Sequence, residues 1–493
     1  MRSDNIGALA TSEALTVLET HLQRGQRHFT LTEAAAMTGL SIDNVRDALE
    51  ALLDKYVCRL QVSEHGDLIY HFGETLRRRG AKTAAERLQE LTDWLWKIFT
   101  VIYKAWIAVT LVVYFVIFLV ILIALLIAAS FRQSDRERRS PVTSLDISRL
   151  FNMFSAIFHW RTITGTIDYQ RDRRGYRYRH YQPRPGVLKT DKKNFIAAVY
   201  DFVFGPPRVA LDPLTNEKEV AAFLQQHKGI LVPSELIALA GWNFPQAETF
   251  LTDCVIRFRG EPKVSDNAVL YGEFDTIIRG IGQVESGEIV HYWDEYEPEY
   301  ELTGNSSAYN LGIVLMNSLN LVVSFLVLRG MLSGLEGLGT GSQLSAFIES
   351  HQGAIELLLG WLPFIFSSLF FLIPLSRLVH IQARRRQRQA QNVRKRLYKA
   401  IFARQGEPQT VPEIMRVVNT NASEESLSRQ VVVDRMKELA LDLAGDMTVT
   451  ETAEVQFTFP RITRELHEAE QFRRQRRLDT TLGDIIAEED TQV

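Results

Sequence analysis

The side chains that could do chemistry lie scattered along this chain. Its 493 residues include 11 histidines and 2 cysteines, and none of the histidines has a partner at metal-ligand spacing. The P-loop, the G-x-G-x-x-G fingerprint, the H-E-x-x-H pair and the G-x-S-x-G elbow are all missing from the sequence. Cys58 and Cys254 lie in apolar runs, which predicts buried free thiols. We therefore expect no catalytic, metal or cofactor site and no enzymatic activity.

Acidic residues are concentrated before the second apolar run. Residues 273–301 hold nine acidic side chains and one arginine, and His291 lies among them. Carboxylates and a histidine can collect a divalent cation, but the spacing is not that of an EF-hand loop. We predict an acidic linker over residues 277–301, either solvated or docked on a basic stretch elsewhere in the chain.

That basic stretch is residues 171–193, with nine basic and two acidic residues and interleaved tyrosines. Arginine and tyrosine can stack on unpaired bases, so single-stranded RNA is one candidate ligand. Just upstream, Leu150, Phe154 and Ile157 share one face of a predicted amphipathic helix, which fits an anionic lipid surface better. The sequence predicts a basic membrane-proximal region over residues 132–200 that contacts lipid headgroups in preference to nucleic acid. The candidate contacts are Arg171, Arg173, Arg174, Arg177, Arg179 and Arg184.

A short domain pattern occurs three times. In the first two copies a glutamate lies 29 residues before a valine, and in the third the insert between them is longer. The pairs are Glu33 and Val62, Glu235 and Val264, and Glu413 and Val449. Each copy has the pattern of a helix, a short helix, a long helix and a β-hairpin, which is the order of a winged helix-turn-helix. The sequence predicts three such domains, over residues 12–76, 214–276 and 390–462.

The first copy shows the local signals in full. Thr30 and Glu33 are spaced for a capping box at the start of the second helix. Gly39 suits the turn, and Ser41 can cap the third helix. An alternation of apolar and polar residues then predicts the two strands of the hairpin.

The third helices of these domains carry more acid than base. Residues 42–55 hold two basic and four acidic side chains. Residues 245–258 hold one basic and two acidic side chains, and residues 424–442 hold three basic and five acidic side chains. A winged helix binds DNA through a helix in the major groove, and phosphate repels a helix with net negative charge. This pattern favours protein–protein contact, either with a protein that the sequence does not specify, with another module or with a second copy of the chain.

Three uncharged apolar runs are long enough to cross a bilayer. They lie within residues 84–131, which also include a predicted interfacial helix, and within residues 302–330 and 354–380. Asn317 and Asn320 in the second run are costly against lipid, so we expect them to face a neighbouring helix. As an alternative, they would line the path of a transporter or channel subunit.

Basic residues near these runs predict their orientation. Residues 377–399 hold nine basic and no acidic residues, which predicts a multi-pass protein of the inner membrane with that side in the cytoplasm. The residues just before the first run are also basic, which predicts that the first domain lies in the cytoplasm. A single crossing by this run would instead place that domain outside. Either segment 105–131 doubles back, or the first domain is exported. We favour all three domains in the cytoplasm.

Residues 200–274 contain a set of spaced motifs: a Phe-Gly entry, a Gly-(Ile/Val)-(Leu/Val)-x-x-x-Glu-Leu helix start and an Arg-Phe-x-Gly-x-Pro-x-Val wing. The residues are Phe204, Gly205, Gly229, Glu235, Leu236, Arg257, Phe258, Gly260, Pro262 and Val264. In these motifs the chain resembles an uncharacterised family of cyanobacterial and plastid-type membrane proteins. The resemblance implies a membrane protein with winged-helix repeats. Plant members are associated with iron–sulfur cluster biogenesis, whereas the two cysteines of this chain are fewer than the usual four cluster ligands.

Together these patterns predict an α+β multidomain membrane protein with three winged-helix domains and about three transmembrane helices. A charged C-terminal helix and a loose acidic tail are predicted over residues 463–493. We expect a non-enzymatic docking or assembly platform at the inner membrane, without a cofactor. A membrane-tethered regulator that binds nucleic acid and a transporter or channel subunit are the alternatives.

Overall fold

The computed structural model describes residues 11–80, 84–132, 194–206, 214–280, 289–294, 301–330, 350–420, 426–477 and 484–490. Within these residues the chain is an α+β protein with small antiparallel sheets. Three small modules and a bundle of long apolar helices make up this part of the chain.

Module 1 has three helices and three strands. They are α1 (Thr11–Gln23), β1 (His28–Thr30), α2 (Leu31–Thr38), α3 (Ile42–Lys55), β2 (Arg59–Ser63) and β3 (Leu68–His71). The strands pair antiparallel in the order β1-β3-β2. The capping box of Thr30 and Glu33 starts α2, and the Ser41 hydroxyl accepts from the N–H of Asn44 to start α3, both as predicted. Gly39 ends α2 in the left-handed conformation that glycine adopts without strain.

Two described helices lie between module 1 and the next module. α4 (Ala84–Arg132) is one unbroken helix of 49 residues, about 73 Å long at 1.5 Å per residue. Of the two alternatives for segment 105–131, the one in which it doubles back does not hold, because that segment lies inside a continuous helix. The predicted interfacial helix is the first part of the same helix. α5 (Phe195–Phe204) starts at the cap residue Asn194 and packs against α4.

Module 2 repeats the order of elements seen in module 1. Its elements are α6 (Thr215–Gln226), β4 (Ile230–Leu231), α7 (Pro233–Ala240), α8 (Phe244–Arg257), β5 (Glu261–Val264) and β6 (Leu270–Glu273). The strand order is β4-β6-β5, which is equivalent to that of module 1. The short first strand of each sheet was not anticipated from the sequence, because two or three residues are too few to show a period.

The other long helices follow module 2. They are α9 (Ser307–Leu328), α10 (Gln352–Ile355), a π-helical turn (Glu356–Trp361) and α11 (Leu362–Ala403). Helices α4 and α9, and the run from α10 through α11, are long and apolar enough to cross a membrane. They pack with α5 around a core that includes Leu111, Phe202, Met316 and Phe370.

Module 3 begins inside α11. The last turns of α11 serve as its first helix, with Leu397, Tyr398 and Ile401 fully buried in the module core. The remaining elements are β7 (Gln409–Thr410), α12 (Val411–Val418), α13 (Arg429–Asp442), β8 (Asp446–Val449) and β9 (Val455–Thr458), followed by α14 (Pro460–Gln475). The strand order is β7-β9-β8. Modules 2 and 3 share one continuous hydrophobic core.

One capping device recurs in all three modules. A glutamate carboxylate accepts from the backbone N–H three residues earlier and fixes the start of the short second helix. The pairs are Thr30 and Glu33 at 2.9 Å, Val232 and Glu235 at 3.1 Å, and Thr410 and Glu413 at 2.9 Å.

Two segments differ from the sequence prediction. The acidic tail is not loose throughout, because β10 (Ile485–Asp490) pairs antiparallel with β2 of module 1. The linker over residues 277–301 is not simply solvated, because Ile277 and Val290 are buried and Trp293 stacks on Phe402 of α11 at 5.2 Å. In β10 the distant contact is made by the strand ladder, and in the linker it is made by an aromatic side chain.

Candidate docking surfaces

Module 1 is fastened to module 2 by a buried arginine. Arg257 ends α8, and its Nη1 donates to the carbonyl oxygen of Gly39 at 3.1 Å. Its Nη2 contacts Asp253 at 3.1 Å and Glu217 at 3.9 Å. Only 7% of the Arg257 side chain is exposed, so this charge is compensated almost entirely by protein groups. The tight turn at Gly39 exposes the carbonyl that the guanidinium needs.

Two further contacts lie at the edge of the same interface. Arg259 pairs with Asp43 of α3 at 2.5 Å, and 45% of its side chain is exposed. The Thr32 hydroxyl donates to the carbonyl oxygen of Arg279 at 2.9 Å. Asp43 lies on α3, the long helix of module 1, and here it serves a contact with module 2.

The helix α14 fastens module 3 to module 2. The Glu465 carboxylate accepts from the backbone N–H of Ser234 at 2.8 Å and from its hydroxyl at 2.7 Å, at the first turn of α7. Arg473 pairs with Glu235 at 2.7 Å. Burial raises the pKa of the Glu235 carboxyl, and the Arg473 guanidinium opposes that shift. Arg461 lies 3.8 Å over the ring of Phe244 and also pairs with Glu248.

The hairpin edge of module 1 is covered by the C-terminal strand. Strand β10 pairs with β2 from Arg59 to Ser63 and extends the sheet to the order β1-β3-β2-β10. Glu488 pairs with Arg59 at 3.1 Å and accepts from the Gln61 amide at 3.1 Å. An exposed sheet edge that takes an extended peptide is a recurring form of protein recognition. In this chain the edge already holds an acidic peptide.

The corresponding edges of modules 2 and 3 take no strand from the described part of the chain. Strands β5 and β8 end their sheets, and both carry exposed apolar side chains, Val264 on β5 with Met447 and Val449 on β8. Leu441, one turn before β8 on α13, is 88% exposed. A leucine this exposed, on the helix that leads into an open edge with two exposed apolar residues, marks an apolar surface suited to a protein partner.

The two asparagines of α9 lie between helices. Asn317 donates to the carbonyl oxygen of Ser367 on α11 at 3.0 Å, and Asn320 donates to the carbonyl oxygen of Leu111 on α4 at 3.1 Å. Both side chains are fully buried, and their Oδ1 atoms have no hydrogen-bond partner among the described residues. This geometry fits interhelical hydrogen bonding in an apolar bundle.

Both cysteines are buried free thiols, as expected. Burial raises the pKa of the Cys58 thiol to about 11 and the pKa of the Cys254 thiol well above its ordinary value. Metals and clusters bind the thiolate, so these thiols are poor ligands in the folded protein. Among the described residues no group of three His, Cys, Asp or Glu side chains is placed to hold a metal ion.

The sequence predicted only some of the residues that form these surfaces. Arg171, Arg173, Arg174, Arg177, Arg179 and Arg184 lie outside the described residues. The fastening roles of Arg257, Arg473 and Glu465 were not anticipated, although the spacing of Asp253 and Arg257 does indicate an ion pair within one helix. Their partners across the interfaces are set by tertiary packing, which leaves no local signal.

No family model matches the chain, and comparisons with the curated proteins and with the solved structures found no match. The family resemblance of residues 200–274 therefore stays a prediction, and function is argued from the geometry of the chain itself.

Proposed function

We propose that this chain is a non-enzymatic integral membrane protein whose three modules are winged-helix domains that form a protein-docking platform. The observation that carries the proposal is the hairpin edge of module 1, which binds an acidic extended strand, β10. A winged-helix surface that binds DNA needs a basic helix and wing facing phosphate. Here the wing faces Glu488, and the long helix contributes Asp43 to the contact with module 2.

Module 3 offers the docking surface that best fits this proposal. We define it as Leu441 on α13 with Met447 and Val449 on β8, all of them exposed. The same two elements carry charges of both signs, with Glu438 paired to Arg435 at 2.7 Å and Asp442 paired to Arg394 at 3.1 Å. An apolar centre with charged residues of both signs near it favours a protein partner with an apolar anchor.

A membrane-proximal position at the cytoplasmic leaflet is part of the proposal. The basic residues Arg384, Arg385, Arg386 and Arg388 follow the apolar part of α11 directly. Trp94, Trp96 and Trp106 are exposed on α4 before and at the start of its uncharged run, as in the aromatic belt of a membrane interface. Together they favour an inner-membrane protein with its modules beside anionic headgroups.

Photo-cross-linking from the docking surface tests this proposal. A photoreactive amino acid at Leu441, Met447 or Val449 of the full chain, irradiated in native membranes, is expected to capture one and the same protein. Glu470 on α14, whose side chain is also partly exposed, is the control position and is expected not to capture it. The captured protein, once purified, is expected to bind the wild-type chain at least ~10-fold more tightly than Leu441→Glu, since removing an apolar anchor costs more than ~1.4 kcal/mol. Capture of the chain itself alone, or capture of nucleic acid, would contradict the platform.

A further inference from the structure

The first part of α4 presents apolar side chains that no described element covers. Buried positions on α4 begin only at Ile107. Before it, Leu88 is 62% exposed, Leu91 50% and Leu95 49%, and Phe99 and Ile102 are exposed as well. A lone helix with such a face is not stable in water, because apolar surface of this extent drives association.

The length of α9 shows that this part of α4 extends past α9. Asn320 of α9 bonds to Leu111 of α4, and Val327 packs with Phe118, so the two helices run in the same direction. Counting back, Ser307, the first residue of α9, is level with about residue 98 of α4. About 14 residues of α4, or ~20 Å of helix, therefore continue beyond α9 on the side of the modules. A bilayer whose thickness matches the 22 residues of α9 does not cover them.

One stripe of apolar residues has the spacing of a coiled coil, while Trp94, Trp96, Phe99, Val101 and Tyr103 are exposed beside it. Positions 84, 88, 91, 95, 98, 102 and 105 alternate in steps of four and three and hold only Ala, Leu and Ile. The polar residues between positions 84 and 104 all avoid this stripe, namely Glu86, Arg87, Gln89, Glu90, Thr92, Asp93, Lys97, Thr100 and Lys104. A repeat of 3.5 residues keeps one seam facing another helix along its whole length, whereas a lipid surface requires no such period.

We propose that this seam pairs with the same seam of a second copy of the chain, as a parallel coiled coil that makes the protein a dimer. A membrane holds both copies in one orientation, so identical stripes meet in register. The seam continues into the apolar run, where Val109 and Val116 occupy the same stripe and are exposed. The packing face of α4, with Ile107, Leu111 and Phe118, lies on a different side of the helix and stays with its own bundle.

Cysteine cross-linking along α4 tests the dimer in the full chain, and it does not depend on what the modules bind. Leu91→Cys, Leu95→Cys and Ile98→Cys place thiols on the seam, while Asp93→Cys, Lys97→Cys and Thr100→Cys place them on the polar face. Mild oxidation in native membranes is expected to give a band at twice 56.3 kDa for the seam set, at least ~10-fold stronger than for the polar set, because only seam positions face each other in a parallel pair. Cys58 and Cys254 are buried and do not compete.

A charge substitution gives the second measurement. In lipid nanodiscs the wild-type chain and the control Lys97→Glu/Thr100→Glu are expected to have the mass of a dimer, and Leu91→Glu/Leu95→Glu that of a monomer. Equal cross-linking in both sets, or no cross-linking, would indicate that lipid or other residues of this chain cover the seam. A band of another mass would indicate another protein. Each of these results would overturn the proposal. If the double glutamate variant fails to fold, the cysteine series still decides. The docking surface lies on module 3, so failure of the dimer prediction does not affect the cross-linking test at Leu441.

Discussion

Two arginines at one interface differ mainly in how much water surrounds them. Arg257 is enclosed by the Gly39 carbonyl, Asp253 and Glu217, whereas Arg259 meets Asp43 at the surface. A buried charge that loses its partner leaves an uncompensated group behind, while an exposed pair is largely replaced by water. The junction of modules 1 and 2 therefore depends on the buried arginine.

This difference predicts two distinct mutational effects. Arg257→Ala is expected to lower the free energy of unfolding by about 3 kcal/mol, because Asp253 and Glu217 stay buried without a cation. Arg259→Ala is the matched control and is expected to change it by less than about 1 kcal/mol, since its side chain is 45% exposed. Denaturant unfolding of the detergent-purified chain measures both. Equal effects of the two substitutions would show that burial does not decide the strength of this junction.

The two thiols give a prediction in pH. The pKa of Cys58 is about 11, so its thiolate fraction at pH 8 is about 100-fold lower than that of a thiol with a pKa near 9. Alkylation of the folded chain at pH 8 is expected to be at least ~100-fold slower than of the urea-unfolded chain, and to speed up tenfold per pH unit. Because the folded pKa is the higher one, stability is constant at neutral pH and falls as pH rises above about 9. Rapid labelling of the folded chain at pH 7 would contradict both buried sites.

At the scale of elements, two long helices lead from the modules to the bundle, and α11 does so as one continuous helix. α4 leads into the apolar bundle from the module 1 side, and α11 runs from the bundle into the core of module 3. A displacement of the bundle end of α11 is therefore transmitted to Leu397 and Ile401 in the core. The added strand β10 then ties the C-terminal end of the chain back to module 1.

Removal of β10 is expected to free the hairpin edge of module 1. Ending the chain after Arg477 deletes the strand. The amides of this edge that face β10, such as the N–H of Glu64 that binds the Asp484 carbonyl, are expected to exchange hydrogen at least ~10-fold faster, since they lose their partners. Ending the chain after Asp490 keeps β10 and is the control. Hydrogen exchange read by mass spectrometry compares the two. Unchanged exchange after the longer deletion would mean that the strand does not stay on this edge.

The sequence predicted elements that local signals define and missed those that depend on distant contacts. The capping box of Thr30 and Glu33, the cap at Ser41 and the apolar spans all follow from residue spacing, and each appears in the structure. Strand β10 was missed because Ile485–Asp490 is short and acidic and is stabilised only by an edge more than 400 residues earlier. The continuity of α11 from the apolar bundle into module 3 was not anticipated, because the sequence prediction ended the third apolar segment at residue 380 and began the module at residue 390.

At the scale of the whole molecule, contacts between modules decide how the chain must be threaded. Arg257 holds modules 1 and 2 together and Arg473 joins α14 of module 3 to module 2, so the three modules form one body. α4 passes its contact with α5 near Lys104 and continues for about 28 residues, or ~40 Å, to Arg132. Arg132 and α5 therefore lie far apart along α4. A membrane between modules 1 and 2 is incompatible with the contacts that join them.

This threading predicts that all three modules lie on one side of the membrane. Single cysteines at Asp47, Thr252 and Lys437 are exposed in modules 1, 2 and 3, and one at Gln352 is exposed at the start of α10. The basic residues that follow the apolar part of α11 predict that this side faces the cytoplasm. A membrane-impermeant maleimide on intact cells is therefore expected to label only Gln352→Cys. After the membrane is opened it is expected to label all four cysteines. Labelling after denaturation controls for expression, and the buried native thiols stay silent in the folded chain. Labelling of Asp47→Cys but not Thr252→Cys in intact cells would place modules 1 and 2 on opposite sides, and the Arg257 junction could then not exist within one chain.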